Sequence, residues 1–431
     1  MKGAYSIMTS DEIKNLDAQC VMQTYGRFDA VIDHGEGATL YSPEGKEYID
    51  FTAGIGVASL GFGNKKWAGA IYAQALKLQH ISNLYYSEPY VKVAELLMAR
   101  TGMKNVFFSN AGGEANEGMI KLARKYSFDK YGMGRSTIIS LVQSFHGRTI
   151  TTLAATGQEV FHNYFFPFTE GFTHVPANDI EALRGALLPE QGSGIRGQGS
   201  VDGRSEGTEP LVNSDSSGAH GTVCAVLIEL IQGEGGVLPL DTEYVKAVAD
   251  LCAANDILLL IDEVQTGVGR TGTLFTYQQY GIKPDVVSFA KGIAGGLPMG
   301  GIMANEKCSA VLTPGTHATT FGANPVAAVG AFVVLSQLDD DFLAEVNKKG
   351  AYIMDTVKSW NLPIVADVRG KGLMIGVSLN GVAPKEAATK CVEAGLLILT
   401  AGDDALRMLP PLVITYEEID KGLAILKEVL Q

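Results

Sequence analysis

The amino-acid sequence predicts an α/β fold, with one large domain built on a mainly parallel sheet and a second, smaller α+β domain. Short apolar runs alternate with helical patterns from about residue 68 to about residue 290, as expected for strands joined by crossover helices. The run 257–261 is apolar at every position, which indicates a strand buried on both faces. Beyond about residue 325, helical patterns precede short strands, so a separate unit closes the chain.

The individual elements follow from the same patterns. Residues 37–51 predict two short strands about a Pro-Glu-Gly turn. In the large domain, predicted helices occupy 68–79, 90–100 and 114–131, and predicted strands occupy 105–109, 136–142, 223–230, 257–261 and 286–290. The closing unit has predicted helices at 325–338 and 342–360 and a predicted strand at 373–379. We therefore expect an N-terminal segment, 1–60, that packs with the small domain, a large domain at 61–322 and a small domain at 323–431.

One segment, 191–221, differs from the rest of the chain. It is crowded with Gly, Ser and charged residues and has almost no apolar content. This composition favours a flexible surface insertion, and a binding loop is the alternative.

Composition limits the classes of partner. The chain has 431 residues, 46% of them hydrophobic and 19% charged, with a formal charge of −13, so we expect a soluble globular protein without a basic surface for nucleic acid. Five cysteines without CxxC spacing favour reduced thiols over disulfides or a metal site. The N-terminal residues lack the apolar core of a signal peptide, and no apolar run is long enough to span a membrane. We expect a cytoplasmic protein with no metal and no membrane partner.

The strongest functional signal is an acid and an amine at the ends of two buried strands. Asp262 ends the apolar run 257–261, and Lys291 follows the run 286–290. Ligands of open α/β sheets bind at the carboxyl ends of the strands. Pyridoxal 5'-phosphate requires such a pair, with a lysine for the Schiff base and a carboxylate for the pyridine nitrogen.

Two glycine-rich turns are candidates for binding phosphate. Gly112 and Gly113 lie between a predicted strand and a predicted helix, where free backbone N–H groups and the helix dipole favour an anion; a plain strand-to-helix turn is the alternative. The segment 267–272 has the spacing GxGxxG, but four residues separate it from the strand and no clear helix follows. It is therefore a weak dinucleotide fingerprint.

Other polar and aromatic residues are placed to complete a site. Phe145 can cover a flat ring, Arg148 can bind a carboxylate, and His146 is an acid or base or has a structural role. Thr319 and Thr320 precede a proline-started helix and either contact a ligand or cap that helix. Arg407 lies in apolar surroundings, where a buried arginine needs an anion.

Together these segments resemble the class III aminotransferases, the ω-aminotransferase branch of the fold-type I pyridoxal phosphate-dependent transferases, whose architecture is aspartate aminotransferase-like. The resemblance extends from about residue 25 to about residue 423 and breaks at 191–221. The motifs that carry it are Thr24-Tyr-Gly-Arg27, Gly54-Ile-Gly-Val57, Ser82-Asn-Leu-Tyr-Tyr86, Ser144-Phe-His-Gly-Arg-Thr149, Gln232-Gly-Glu-Gly-Gly236, Asp262-Glu-Val-Gln-Thr-Gly-Val-Gly-Arg-Thr-Gly272 and Gly315-Thr-His317.

The resemblance implies a set of residues that bind the cofactor. Lys291 would be the Schiff-base lysine, Asp262 the partner of the pyridine nitrogen, and Gln265 a contact of the phenolic oxygen. The glycines 112 and 113 would bind the phosphate, and Phe145 would lie against the ring. Thr320 would reach the phosphate in the neighbouring subunit, which implies a homodimer with shared active sites. The cofactor-binding set implied by the family is Gly112, Gly113, Phe145, Asp262, Glu263, Val264, Gln265, Lys291 and Thr320.

The family also implies the reaction and the substrate-binding residues. The terminal amine of N2-acetyl-L-ornithine would be converted to the semialdehyde, and 2-oxoglutarate would accept the amino group and leave as glutamate, a step of arginine biosynthesis. Ornithine, succinylornithine, succinyl-diaminopimelate and 4-aminobutyrate are alternative donors. Arg148 and Arg407 would bind carboxylates, and Glu234 would mask Arg407 while the amine donor is bound. The substrate-binding set is Arg148, Thr319, Arg407, Glu234 and Tyr25.

The sequence departs from the family pattern at four positions. Ala111 stands where Ser or Thr is usual, and Gly113 replaces Ala. Leu230 replaces the Pro that usually follows Glu229, and Thr319 replaces Ser. None of these changes removes a catalytic group, but they bear on cofactor affinity and substrate geometry.

Two other classes of function compete with this interpretation. A nicotinamide-dependent oxidoreductase would use the glycines at 267–272. A non-catalytic interaction protein on the same fold would not need both Asp262 and Lys291, which the chain retains.

Overall fold

The computed structural model describes residues 8–187 and 222–431. The predicted insertion at 191–221 therefore lies outside the described residues. The strands are β1 (His34–Glu36), β2 (Thr39–Tyr41), β3 (Glu47–Asp50), β4 (Asn105–Ser109), β5 (Thr137–Leu141), β6 (Phe172–Val175), β7 (Val223–Ile228), β8 (Ile231–Gln232), β9 (Leu238–Pro239), β10 (Leu258–Asp262), β11 (Val286–Phe289), β12 (Gly300–Ala304), β13 (Val365–Lys371), β14 (Met374–Leu379), β15 (Leu396–Leu397), β16 (Leu399–Ala401) and β17 (Ala405–Met408).

Helices separate most of these strands. They are α1 (Ser10–Cys20), α2 (Ala53–Gly56), α3 (Lys65–Lys77), α4 (Glu88–Thr101), α5 (Gly112–Tyr131), α6 (Ile150–Ala155), α7 (Ile180–Leu187), α8 (Thr242–Ala254), α9 (Tyr277–Tyr280), α10 (Pro325–Gln337), α11 (Asp340–Ser359), α12 (Pro384–Glu393) and α13 (Tyr416–Leu430). The four-residue α2 is a left-handed turn, since Gly54 and Ile55 have φ values of 61° and 66°. Of the helices in the described parts of the chain, none has the length and apolar character needed to span a bilayer.

The large sheet has seven strands in the order β4-β12-β11-β10-β7-β5-β6. All neighbouring strands are parallel except at β12, which is antiparallel to both β11 and β4. Every residue of β7, β10 and β11 is buried, because helices cover both faces of the sheet. The predicted α/β fold with a mainly parallel sheet is thus confirmed.

Two strands of this sheet carry patterns that sequence reasoning did not recognise. The first, β12, contains Gly300 and Gly301 within five residues, and glycine is uncommon in strands. The structure explains Gly301, because a Cβ there would lie 2.4 Å from the carbonyl oxygen of Phe107. The second, β6, is an edge strand with two polar residues among four.

A separate four-stranded sheet, β13-β14-β17-β16, lies in the C-terminal part of the chain. A further sheet joins the two ends of the chain: β1, β2 and β3 form antiparallel pairs, and β3 pairs in parallel with β15. The N-terminal strands therefore contact the C-terminal unit. The three-part division at residues 60 and 322 remains a prediction.

The carboxyl edge of the large sheet collects the polar segments singled out in the sequence. Ser109 ends β4 just before Gly112, β10 ends at Asp262, and β11 ends two residues before Lys291. Phe145 follows β5 at the same edge. Parallel strands that end together thus bring distant parts of the sequence to one place.

Candidate active site

Asp262 is held in place by four polar groups from different elements. Its side chain is buried, and Oδ2 accepts a hydrogen bond from Asn116 Nδ2 at 2.7 Å and lies 2.9 Å from His146 Nδ1. The other oxygen, Oδ1, accepts from the Val264 N–H at 2.9 Å and from the Ser288 hydroxyl at 3.3 Å. A buried carboxylate with this many partners keeps a fixed orientation.

Lys291 combines an unusual backbone conformation with a perturbed amine. Its φ is +45°, a left-handed value that a non-glycine residue adopts at a cost of about 1–3 kcal/mol. The turn is fixed by Ser59, whose hydroxyl donates to the Gly292 carbonyl at 3.2 Å. The pKa of Lys291 is lowered to about 8, chiefly by burial; within this net value the carboxylate of Glu234 opposes the shift and the positive charge of Arg407 adds to it. A larger share of this amine is therefore neutral near pH 7 than for an exposed lysine.

The first turn of α5 offers a place for an anion. The residue before the helix, Ala111, makes no side-chain cap, so no side chain of that residue satisfies the first N–H groups. A Cβ on Gly112 would lie 2.6 Å from a methyl carbon of Val264, so glycine is needed for the helix start to approach the turn after Asp262. The positive end of the dipole of this 20-residue helix lies at the same point.

These three features fit pyridoxal phosphate. The carboxylate of Asp262 matches a protonated pyridine nitrogen, and the amine of Lys291 matches the aldehyde. The uncapped glycine turn at the start of α5 matches the phosphate.

A second charged cluster lies beside this centre. Arg407 is 3% exposed, and its two terminal nitrogens pair with the two carboxylate oxygens of Glu234 at 2.7 and 3.1 Å. Arg407 also donates to Gln265 Oε1 at 3.1 Å. Burial alone would raise the pKa of Glu234, but the Arg407 guanidinium holds it below its ordinary value. Glu234 thus occupies the anion-binding face of Arg407.

Arg148 has a different environment. It is exposed, and its guanidinium lies 4.1 Å from the ring centroid of Phe161 and 5.5 Å from that of Phe145. The two rings meet edge to face at 5.7 Å. The backbone N–H of Phe145 donates to Glu229 Oε2 at 2.9 Å. Arg148 is thus oriented by aromatic contacts and remains accessible to a carboxylate.

The remaining predicted residues lie at the edge of the centre or away from it. Thr319 accepts a hydrogen bond from Asn110 Nδ2 at 3.1 Å, beside the start of α5, whereas Thr320 is exposed. Tyr25 is 74% exposed and lies under the guanidinium of Arg27. The Glu263 carboxylate is bound by the Thr266 hydroxyl and the Tyr277 N–H at 2.6 and 2.7 Å, so this side chain stabilises the following turn.

Three buried residues of the site were missed by sequence reasoning. Asn116 and Ser288 contact Asp262, and Glu229 accepts the Phe145 N–H. Burial raises the pKa of Glu229, and the negative charge of Asp262 adds to the shift. The sequence pattern could have identified Glu229, because this carboxylate directly follows the apolar strand β7, just as the carboxylate of Asp262 ends the apolar strand β10. Asn116 could have been found as a polar residue on the buried face of α5.

The fold and the site define a pyridoxal phosphate-dependent transferase of fold type I. Residues 21–430 match the model of the family described as "Aminotransferase class-III". The chain belongs to this family, the class III aminotransferases.

Curated relatives and solved structures agree with this assignment. The chain is 48% identical to the acetylornithine aminotransferase of Haemophilus ducreyi, over 98% of this chain and 99% of that one. It is 44% identical to the enzyme of the same name from Caldanaerobacter subterraneus, over 95% and 97%. The ornithine aminotransferase of Toxoplasma gondii superposes with a TM-score of 0.86 at 29% identity, over 98% of this chain and 95% of that one. N-acetylornithine aminotransferase from Stenotrophomonas maltophilia superposes with a TM-score of 0.77 at 32% identity, over 96% and 97%.

Proposed function

We propose that this protein transfers the terminal amine of N2-acetyl-L-ornithine to 2-oxoglutarate, giving the semialdehyde and glutamate. The observation that carries the proposal is the pair of arginines in unequal states. Arg148 is accessible, whereas Arg407 is paired with Glu234. A donor with one carboxylate needs one arginine, and a five-carbon dicarboxylate needs both. The relatives named as acetylornithine aminotransferases, similar over nearly their full lengths, support the acetylated donor.

The chain's own residues would hold the cofactor in a fixed orientation. Lys291 would bind it covalently, Asp262 would hold the ring nitrogen, and the N–H groups at Gly112 and Gly113 would bind the phosphate. When bound, pyridoxal phosphate supplies an electron sink for the pair of electrons left when the substrate carbon loses a proton. The ring would lie between Phe145 and Val264, whose placement beside Gly112 supports this arrangement.

Once the amine of the substrate has taken its place on the cofactor, the released amine of Lys291 would also move the proton. A neutral amine is a base, and the lowered pKa of Lys291 increases its neutral fraction at neutral pH. The amine accepts a proton from the substrate carbon and would deliver it to the carbon of the cofactor. Asn116 and His146 hold the carboxylate of Asp262 in a fixed orientation, so it would stay directed at the ring nitrogen during this transfer.

The exchange of Arg407 partners would let one site accept two substrates. Glu234 occupies Arg407 while the donor is bound, which avoids leaving a buried cation unpaired. The second carboxylate of 2-oxoglutarate then replaces Glu234. Thr319 and Gln265 would contact the substrate and cofactor, and Tyr25 would reach the donor from the N-terminal segment.

We infer that the active form is a homodimer with shared sites, located in the cytoplasm. Thr320 is exposed beside the start of α5, a position from which it can contact a second copy. All five cysteines are free, as expected in a reducing compartment. The domain division into 1–60, 61–322 and 323–431 is part of the same proposal, supported by the pairing of β3 with β15.

The proposal is tested by assaying glutamate formed from 2-oxoglutarate with a panel of donors. N2-Acetylornithine should give the highest kcat/KM, above ornithine, succinylornithine, succinyl-diaminopimelate and 4-aminobutyrate. The protein should also show visible absorbance that an amine donor bleaches and 2-oxoglutarate restores. A preference for another donor would keep the class of reaction and change the substrate, whereas no turnover with any donor would refute the proposal.

A lysine variant tests the central assignment within the same assay. Lys291→Ala should leave a folded protein without turnover. Lys246 is a matched control, since it is 50% exposed and pairs with Glu243 on the surface. Lys246→Ala should retain full activity. Full transamination by Lys291→Ala would show that the assignment is wrong.

A further inference from the structure

A second arginine, Arg369, is partly buried and lies in the same row of the small sheet as Arg407. Arg369 on β13 is paired with Gly376 on β14, and Gly376 is paired with Arg407 on β17. Residues directly opposite one another in neighbouring strands project from the same face of a sheet. The two guanidinium groups therefore lie on one face, with a residue lacking a side chain between them.

The space over Gly376 is filled by the loop 233–237, which carries Glu234. A Cβ on Gly376 would lie 3.0 Å from Val237 Cβ and 3.1 Å from the Gly236 carbonyl oxygen. These distances are too short for an undisturbed contact, so the glycine allows the loop backbone to approach the sheet. The loop therefore lies between the two arginines.

Arg369 binds this loop through main-chain atoms. Its Nε donates to the carbonyls of Gly236 and Val237 at 3.0 and 3.1 Å, and its Nη2 donates to Gly236 at 2.6 Å. Its Nη1 donates to Asp367 and Ser378 at 2.9 and 2.6 Å. The guanidinium is directed at the protein on all sides, which distinguishes it from a substrate-binding arginine such as Arg148.

The loop needs such support because its backbone is strained. Gly236 has a φ of 123° and Val237 a φ of 55°, and a β-branched residue in the left-handed region is a true outlier. Strain of this kind persists only where the surroundings fix it. On the other side of the loop, the Gly402 N–H donates to the Glu234 carbonyl at 2.8 Å. The main chain around Glu234 is thus held at both ends.

We infer that Arg369 is a positioning residue that holds Glu234 against Arg407 and so sets the affinity of the site for dicarboxylate substrates. This inference rests on the proposed function, in which a second substrate carboxylate displaces Glu234. Any contact that stabilises the paired state of Glu234 raises the cost of that displacement. Arg369 therefore restrains dicarboxylate binding without contacting the substrate.

The test is the affinity of the cofactor-loaded enzyme for glutarate, a five-carbon dicarboxylate that cannot be transaminated. Isothermal titration calorimetry on Arg369→Gln should show glutarate bound about fivefold more tightly than by the wild type, as for a loss of roughly 1 kcal/mol of restraint. Valerate, which has the same number of carbons as glutarate but only one carboxylate, should bind with unchanged affinity. Gly376→Ala, which displaces the loop from the sheet side, should act in the same direction and gives a second variant if Arg369→Gln fails to fold.

Three further variants separate the outcomes. Glu234→Ala should itself tighten glutarate binding, and Arg369→Gln should add nothing in that background, because both changes act on one interaction. Arg124 also donates to main-chain carbonyls, those of Ser136 and Glu170 at 3.3 and 2.6 Å, so Arg124→Gln is a matched control that should leave glutarate affinity unchanged.

Each result decides a different claim. If Glu234→Ala tightens glutarate binding and neither Arg369→Gln nor Gly376→Ala does, the inference about Arg369 is overturned and the proposed function stands. Equal weakening of glutarate and valerate binding in Arg369→Gln would show a merely structural role and also overturn it. If Glu234→Ala has no effect, the exchange of Arg407 partners is refuted, and the role of Arg369 with it.

Discussion

At the residue scale, Lys291 carries its amine in surroundings that disfavour a positive charge. Burial and the neighbouring Arg407 lower its pKa, whereas the carboxylates of Glu234, Asp262 and Glu229 oppose the shift. The same residue has a left-handed backbone. Both features cost stability, and sites of this kind are usually retained because the chemistry uses them.

The lowered pKa predicts how the apoprotein takes up pyridoxal phosphate as the pH changes. Only the neutral amine reacts, and the neutral fraction rises with pH, so the rate of uptake should rise with a midpoint near 8 rather than at the ordinary value of 10.5. Glu234→Gln removes a negative charge that favours the ammonium form, so its midpoint should be lower still. Stopped-flow absorbance measures the rate, and α-acetyl-lysine in the same buffers corrects for ionisation of the cofactor itself. A midpoint close to that of the free lysine derivative would contradict the prediction.

The principal residues of the site could be predicted from the sequence, whereas their supporting contacts could not. Asp262 and Lys291 end apolar runs, and that pattern alone places a charge at the edge of a buried strand. Asn116 reaches Asp262 from a helix 146 positions earlier in the chain. No local pattern records such a contact, because the packing of α5 on the sheet creates it.

At the element scale, most strands of the large sheet were predicted because they consist mainly of apolar residues, whereas the edge strand β6 was missed. The strand β4 has the predicted bounds, β11 ends one residue earlier than predicted, and β10 is shifted by one residue, to 258–262 from the predicted 257–261. The antiparallel β12 was missed, because its two glycines have a low propensity for strands and are there to allow a close approach of neighbouring backbone. Tertiary contacts of this kind are not visible in a periodic pattern.

The start of α5 yields a prediction about both stability and cofactor affinity. Ala111 occupies the position before the helix with extended backbone angles of −151° and 166° and makes no cap. Ala111→Ser should supply a hydroxyl that accepts a backbone N–H of the first turn, worth about 1 kcal/mol. We expect the melting temperature of the apoprotein to rise by roughly 1–2 °C. When the cofactor is bound, the same hydroxyl should donate its own hydrogen to the phosphate, lowering the dissociation constant of pyridoxal phosphate about fivefold.

Ala383 provides the matched control for this change. It precedes α12 with extended angles of −66° and 130°, is exposed, and also makes no side-chain cap. Ala383→Ser should raise the melting temperature by a similar amount and leave cofactor affinity unchanged. Equal cofactor affinity in both variants would show that the start of α5 does not hold the phosphate.

At the scale of the whole molecule, the surface beside the site carries an apolar patch. Leu84, Tyr85 and Tyr86 are 86%, 63% and 95% exposed, and Phe321 is 60% exposed. The two segments are adjacent, because Asn83 Nδ2 donates to the Gly322 carbonyl at 3.0 Å. Clustered exposed aromatic residues are typical of protein–protein interfaces. Thr320, the residue expected to reach the neighbouring cofactor, lies within this patch.

The patch predicts how association and activity are linked. The wild type should have a solution mass of about twice 45.8 kDa by light scattering. Tyr86→Asp places a carboxylate in the expected interface, where burying an unpaired charge costs several kcal/mol, so the variant should dissociate and lose most turnover. Met133→Asp is the control, since Met133 is 88% exposed just beyond the far end of α5, about 30 Å from Gly112, and it should remain dimeric and active. A Tyr86→Asp protein that stays dimeric, or a monomer with full activity, would show that this patch does not join two copies into shared sites.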